Sequence, residues 1–146
     1  MIKIDYIRTM ARYNEWQNQS VFAAADTLDD KARNMDRGAI FKSIHGTLSH
    51  LLWGDQIWMH RFSGSPAPAV SSIEASVDMT GDWAELKQQR IAMDQVISTW
   101  AQSLDAEWPK DDLTWFSSAA KREVTKPAGF LVTHFFNHQT HHRGQV

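Results

Sequence analysis

Histidines near the end of the chain have the spacing that metal ligands on one helix need. Four of the seven histidines lie within residues 134–142, and His134, His138 and His142 follow at four-residue intervals. Residues four apart on an α-helix lie one turn above one another, so these three imidazoles would share one face. A helical His-x3-His pair can supply two nitrogen ligands to a divalent metal. A solvated polar face or a seam between two copies is the alternative explanation.

A third ligand has to come from another helix, and His50 is the best candidate. Gly46 and Gly54 lie four residues before and after it. Each glycine costs a helix about 1 kcal/mol relative to alanine, so the pair indicates close approach of a ligand or a facing helix. Trp53 would then form part of the cavity wall. For His50 taken alone, a hydrogen-bonded core histidine is the alternative.

Charged and amide side chains interrupt the apolar stripes of the other helices. Asp55 and Arg90 stand where leucine is expected, and a buried charge is costly unless it is paired. The pattern predicts a mutual ion pair, with binding of a substrate carboxylate by Arg90 as the alternative. Asn14 raises the same question less strongly, because a buried amide is tolerated when hydrogen-bonded.

Long helices have to position these residues. Apolar periodicity and capping residues predict four of them, over about residues 5–26, 40–62, 82–104 and 127–146. Residues 63–81 are rich in Ser, Pro, Ala and Gly and predict a long loop or lid. Residues 113–116 and 123–125 can pair as a short hairpin before the last helix. The predicted fold is an all-α, antiparallel four-helix bundle, and the long second connection would also permit a crossover.

Length and composition exclude several classes of protein. The chain has 146 residues, which fits one domain spanning residues 1–146. A net charge of −2 and the lack of a basic stripe argue against a nucleic-acid partner. No cysteine is present, so a soft-metal site has to be built from histidine. The N-terminal residues predict neither a signal peptide nor a membrane span, and a cytoplasmic location is expected. Because no helix stop follows Gly144, a few residues are expected beyond Val146.

Three motifs together resemble the DinB/YfiT-like family of damage-inducible-type bacterial metalloenzymes. The motifs are Tyr13-Asn14-x-Trp16-x-Asn18, Leu48-Ser49-His50-Leu51 followed by Asp55 and Trp58, and Asn137-His138-Gln139-Thr140-His141-His142-Arg143-Gly144-Gln145. The resemblance covers nearly the whole chain, and the last motif is its most specific part. It implies a four-helix bundle that binds one divalent metal, nickel or zinc, through His50, His138 and His142.

The resemblance also implies a chemistry. Some members are transferases or isomerases that act with a low-molecular-weight thiol, and members often dimerise. A homodimer acting on a small-molecule substrate is therefore expected, with no nucleic-acid or membrane partner. The residues expected around the ligands or the substrate are His134, His141, Asn14, Trp53, Asp55 and Arg90.

Three neutral histidines leave a coordination position open, which is typical of a catalytic metal rather than a structural one. We therefore expect a metal-dependent enzyme that activates a metal-bound thiol or water, and the ligands alone are compatible with both. The resemblance favours a thiol-dependent S-transferase. A metal-dependent hydrolase and a non-catalytic metal-binding stress-response protein stay open as alternatives.

Overall fold

Four long helices make up most of the structure, a computed structural model that describes residues 2–117 and 120–146. The elements in this part of the chain are α1 (Ile4–Asp26), α2 (Asp30–Asn34), α3 (Ile44–Ser63), α4 (Ile73–Ser76), α5 (Trp83–Ser103), a 3-10 turn (Trp108–Lys110), β1 (Asp112–Ser117), β2 (Arg122–Pro127) and α6 (Ala128–Arg143). Among these helices, none has the length and apolarity that a membrane crossing requires.

The prediction of an all-α four-helix bundle is wrong. The described residues form six α-helices and a two-stranded antiparallel sheet. In this sheet Asp112 lies opposite Pro127 and Ser117 lies opposite Arg122, so the hairpin considered from the sequence is present. Two strands alone are marginally stable, and here Trp115 packs one face of the hairpin against the apolar core.

The long helices form a ring in which α1 lies diagonally opposite α3 and α5 lies diagonally opposite α6. α1 packs on α5 and α6, and α3 packs on the same two helices. The connections from α1 to α3 and from α5 to α6 therefore cross the end of the ring. The sequence allowed a crossover through the second connection, whereas the structure has crossings in the first connection, which contains α2, and the third, which contains the hairpin.

The start of α3 is set by local backbone geometry. The helix begins at Ile44, later than predicted, because Lys42 adopts a left-handed conformation with φ of 64°. Ser43 then caps the helix by accepting a hydrogen bond from the backbone N–H of Gly46. The turn before α3 brings Phe41 back over the first turns of the helix, where it contacts His50.

The predicted long loop over residues 63–81 is in part an ordered cover on α3. It contains α4, whose Ser76 is fully buried. Trp53 donates from its indole nitrogen to the carbonyl of Val70 at 2.8 Å, and Ser49 donates to the carbonyl of Ser76 at 2.7 Å. The periodicity of the sequence missed α4, because four residues are too few to show a helical repeat.

Candidate metal centre

Three histidines from α3 and α6 meet at one point. His50 is buried on α3, and His138 and His142 lie one turn apart on α6. One imidazole nitrogen of each lies within 4.8 Å of the others, and the Nε2 atoms of His138 and His142 are 3.0 Å apart. Metal–nitrogen bonds of about 2.0–2.1 Å place two ligand atoms of one ion about 3.0–3.4 Å apart, so His138 and His142 have the separation of two ligands of one divalent metal, and His50 lies beside them. Their role as ligands stays a prediction.

Hydrogen bonding fixes the tautomer of His50. Its Nδ1 lies 2.8 Å from the hydroxyl of Ser76, which itself lies 2.5 Å from the carbonyl of Ile73. The single hydroxyl hydrogen is donated to that carbonyl, because a carbonyl can only accept. Nδ1 of His50 therefore donates to Ser76, and Nε2 keeps a free lone pair. A metal-binding histidine needs this form.

A second hydrogen bond fixes His142 in the same way. Its Nδ1 lies 2.7 Å from the amide oxygen of Gln145, which can only accept, so Nδ1 carries the hydrogen and Nε2 is free. The amide nitrogen of Gln145 lies 3.3 Å from Nε2 of His141 and donates to it. His141 is exposed and lies beside the three-histidine group, where the sequence predicted it.

Close approach explains the two glycines that flank His50. A Cβ atom on Gly54 would lie 2.7 Å from Cε1 of His138, so the ring of His138 fits only against a glycine. A Cβ atom on Gly46 would lie 2.4 Å from the carbonyl oxygen of Phe41, whose ring stacks on His50 at 3.8 Å. One glycine thus admits the facing helix and the other admits the turn before α3.

Burial and mutual repulsion keep the histidines neutral. Burial lowers the pKa of His50 to about 4, and the neighbouring His142 contributes to the shift. Burial, followed by the charges of His142 and His50, lowers the pKa of His138 to about 3. The buried Nδ1 of His138 has no hydrogen-bond partner among the described residues. Neutral imidazole is the form that binds a metal, so protons compete weakly with a metal here at neutral pH.

His134 lies one turn before His138 but outside the three-histidine group. Its ring centroid is 5.9 Å from that of His138, and its own neighbour on α3 is Trp58 at 5.3 Å. The facing pairs along α3 and α6 run in opposite directions, from His50 with His142 to Trp58 with His134. Spacing alone could not separate His134 from the other two, because the difference comes from the residue that faces it.

A buried polar network joins the four long helices. Arg90 on α5 donates from Nη1 to Oδ2 of Asp55 at 2.6 Å, and its Nη2 lies 2.9 Å from Oδ1 of Asp94. Gln139 on α6 donates to the other oxygen of Asp55 at 2.8 Å. Asn18 on α1 donates to Asp94 at 2.8 Å. The sequence did not identify Asp94, although its position four residues after Arg90 is a usual ion-pair spacing.

The predicted ion pair between Asp55 and Arg90 is therefore present. The side chain of Arg90 is only 3% exposed and lies between two carboxylates, which does not support the alternative role as a receptor for substrate. Because two carboxylates share one guanidinium, the attraction of Arg90 does not offset the effect of burial on the pKa of either carboxylate. Burial raises the pKa of Asp55, and it raises the pKa of Asp94 to about 6.

Asn14 belongs to the same network. Arg143 donates to the side-chain oxygen of Asn14 and, at 3.1 Å, to that of Asn18. Arg143 directly follows His142, so these bonds tie the ligand-bearing end of α6 to α1. Trp53, also expected near the site, lies with its ring 5.4 Å from that of His50.

Comparisons with known proteins give the family of this chain. The model of the DinB family matches residues 1–146. Among curated proteins, "Protein DinB" of Bacillus subtilis (strain 168) is 20% identical over 142 residues, which cover 97% of this chain and 83% of that protein. The comparison with solved structures gives no match.

Proposed function

We propose a function from the premise that this chain belongs to the DinB family. The proposed function is that of a divalent-metal-dependent enzyme that transfers a low-molecular-weight thiol to an electrophilic small molecule. His50, His138 and His142 would hold the metal, with nickel or zinc as the ion. The observation that carries the proposal is the convergence of three neutral imidazoles from two helices.

The donor set supports catalysis because three histidines do not fill the coordination sphere of the ion. When bound, the metal would lower the pKa of a coordinated thiol or water and make it nucleophilic at neutral pH. The protein's own part is positioning: Ser76 and Gln145 orient two of the rings through their Nδ1 atoms. Phe41 stacks on His50 and shields that ring from water.

The surroundings of the histidines favour a thiol over water. Hydrolytic sites with helical histidine pairs use a carboxylate as the base, and the group found among the described residues contains histidines only. Asp55 is committed elsewhere, since Arg90 and Gln139 occupy both of its oxygens. A metal-bound thiol is deprotonated without a base. The chain has no cysteine, so the thiol would come from a separate molecule.

We also propose that the protein acts on small molecules as a cytoplasmic homodimer, without a nucleic-acid or membrane partner. An exposed aromatic pair on α1, Tyr13 and Trp16 with ring centroids 5.8 Å apart, supports a contact with a second copy. Analytical ultracentrifugation of the wild type and of Trp16→Ala tests this point, because loss of this contact would shift the protein toward monomer.

Metal analysis tests the ligands. We expect the wild type to bind one equivalent of nickel or zinc, and we expect His50→Ala and His138→Ala to lose nearly all bound metal while keeping their helical circular dichroism. His60→Ala is the matched control, because His60 is exposed at the end of the same helix as His50 and bonds only to Ser65. Full metal occupancy in His138→Ala would refute the assignment.

An activity screen tests the reaction. Metal-loaded protein is mixed with thiols and electrophilic acceptors, and loss of free thiol is followed. Turnover that needs both the metal and His138 supports the proposal. Consumption of the acceptor without thiol would identify a hydrolase, and tight metal binding without any turnover would favour the non-catalytic alternative.

A further inference from the structure

A cavity lies between the end of α3, residues 67–71 and strand β1. Its volume is about 480 Å³, and its walls include Ile57, Arg61, Val70 and Trp115. This volume is within the range of about 300–1,000 Å³ that is usual for small-molecule sites. The cavity combines apolar walls with a small number of polar groups, as such sites do.

Arg61 supplies the positive charge of this cavity. It is half-buried, and its guanidinium lies over the rings of Trp58 at 4.6 Å and Trp115 at 5.3 Å. Within the described part of the chain no carboxylate lies at ion-pair distance from it, whereas Arg33 and Arg90 both pair with aspartates. Stacking occupies the faces of a guanidinium and leaves its N–H groups free to donate.

A series of side-chain contacts links the cavity to the three-histidine group. Trp58, which lies under Arg61, contacts His134, and His134 neighbours His138. Gly54 faces His138, and Arg61 follows it by about two helical turns, or roughly 10 Å. An extended molecule of that length, anchored at Arg61, is long enough to span the distance to His138.

Val70, on the opposite wall of the cavity, also connects the cavity to the three-histidine group. The carbonyl of Val70, a cavity residue, accepts the indole hydrogen of Trp53 at 2.8 Å. The ring of Trp53 in turn lies 5.4 Å from that of His50. Residues 67–71 thus border the cavity and, through the carbonyl of Val70, hold Trp53 beside His50.

We propose that Arg61 binds the carboxylate of a small-molecule substrate in this cavity while the reacting end of that molecule reaches the three histidines. The proposal rests on the proposed function and narrows its substrate class. A guanidinium binds a carboxylate through two parallel N–H donors, which gives both affinity and orientation. The carboxylate belongs to the thiol or to its acceptor, and KM measurements on Arg61→Gln distinguish these two sources.

A binding experiment tests the cavity without the reaction. The metal-free protein is titrated with hexanoate and with hexanamide, and the indole N–H resonances of Trp58 and Trp115 are followed by NMR. We expect hexanoate to bind more tightly, and we expect Arg61→Gln to weaken its binding about tenfold or more, as loss of a charge-assisted bond would. Arg12→Gln, at an exposed arginine on α1, is the control and should bind as the wild type does.

Two results of this titration overturn the proposal. The first is equal affinity for hexanoate and hexanamide, and the second is unchanged hexanoate affinity in Arg61→Gln. Arg61→Lys keeps the charge and loses the paired donors, so it is expected to bind with intermediate affinity. The near-UV circular dichroism of Arg61→Lys also shows whether the surroundings of Trp58 and Trp115 survive a change at this position.

Kinetics identify which substrate carries the carboxylate. If the thiol carries it, Arg61→Gln raises KM for 6-mercaptohexanoate about tenfold and leaves KM for 6-mercaptohexanol unchanged. If the acceptor carries it, KM rises for a carboxylated acceptor with either thiol. An active enzyme with neither change refutes the proposal. If no turnover occurs, the proposed function fails and the hexanoate titration still decides the role of Arg61.

Discussion

At the scale of single residues, the metal centre depends on one serine outside the long helices. Ser76 accepts from Nδ1 of His50 and so keeps Nε2 available. We predict that Ser76→Ala lowers metal affinity about 10–100-fold, the usual effect of losing such a supporting bond, because the ring is then free in tautomer and orientation. Competition with a chromogenic chelator measures the change.

The control for this prediction is Ser20→Ala. Ser20 is an exposed residue of α1 whose hydroxyl bonds only to the backbone of its own helix. Its replacement should leave metal affinity unchanged. Wild-type affinity in Ser76→Ala would contradict the prediction and show that the bond to Ser76 does not set metal affinity.

The sequence contained enough information to select the three histidines but not the serine that orients His50. His138 and His142 share a local helical period, and the glycines around His50 report that something approaches that turn. Ser76 has no such signal, because it lies 26 residues from His50 in a serine-rich stretch and meets it only through the fold. Gln145 differs from Ser76, since it lies only three residues after His142, and this short spacing could have indicated a contact between them.

At the scale of elements, the pairing of α3 with α5 depends on a charge that serves two partners. Arg90→Met would leave Asp55 and Asp94 buried without a cation, whereas Asp55→Leu leaves Arg90 paired with Asp94. We predict that Arg90→Met lowers the free energy of unfolding by about 3–5 kcal/mol and that Asp55→Leu costs less. Urea denaturation at pH 7 measures both variants.

The double variant completes this test. The double variant removes the unpaired Asp55 that Arg90→Met leaves behind, although Asp94 still lacks its cation, so the double loss should be smaller than the sum of the single losses. Strictly additive losses, or a greater loss in Asp55→Leu than in Arg90→Met, would contradict the shared-cation arrangement.

The long helices could be located from the sequence because each carries an apolar stripe over many turns. The short elements α2 and α4 could not, since five and four residues give no measurable period. The diagonal placement of α1 and α3 could not be predicted from the sequence either. It depends on which stripes pack together across the ring, and every stripe is compatible with several neighbours.

At the scale of the whole molecule, buried groups titrate in opposite directions. The pKa of Asp94 is raised from 3.8 to about 6 by burial, so between these values the folded state binds more protons and stability falls as pH rises. The pKa values of His50 and His138 are lowered from 6.5 to about 4 and about 3, so there the unfolded state binds more protons and stability rises with pH. Burial also raises the pKa of Asp55 and lowers the pKa values of His134 and His142, so four histidines oppose two carboxylates. The metal-free protein should therefore lose stability on acidification from about pH 6.5 to 4.

Replacement of Asp94 by asparagine isolates the contribution of this carboxylate to the pH dependence of stability. Asparagine keeps an oxygen that can accept from Asn18 and Arg90 but has no proton to lose. We therefore predict that the free energy of unfolding of Asp94→Asn, relative to the wild type, rises by about 2 kcal/mol between pH 4.5 and 7.5. Urea denaturation of chelator-treated protein at steps across this range measures the difference. Asp78→Asn, at an exposed aspartate, should run parallel to the wild type. A difference that falls with pH would mean that the charge of Arg90, and not burial, controls the ionisation of Asp94.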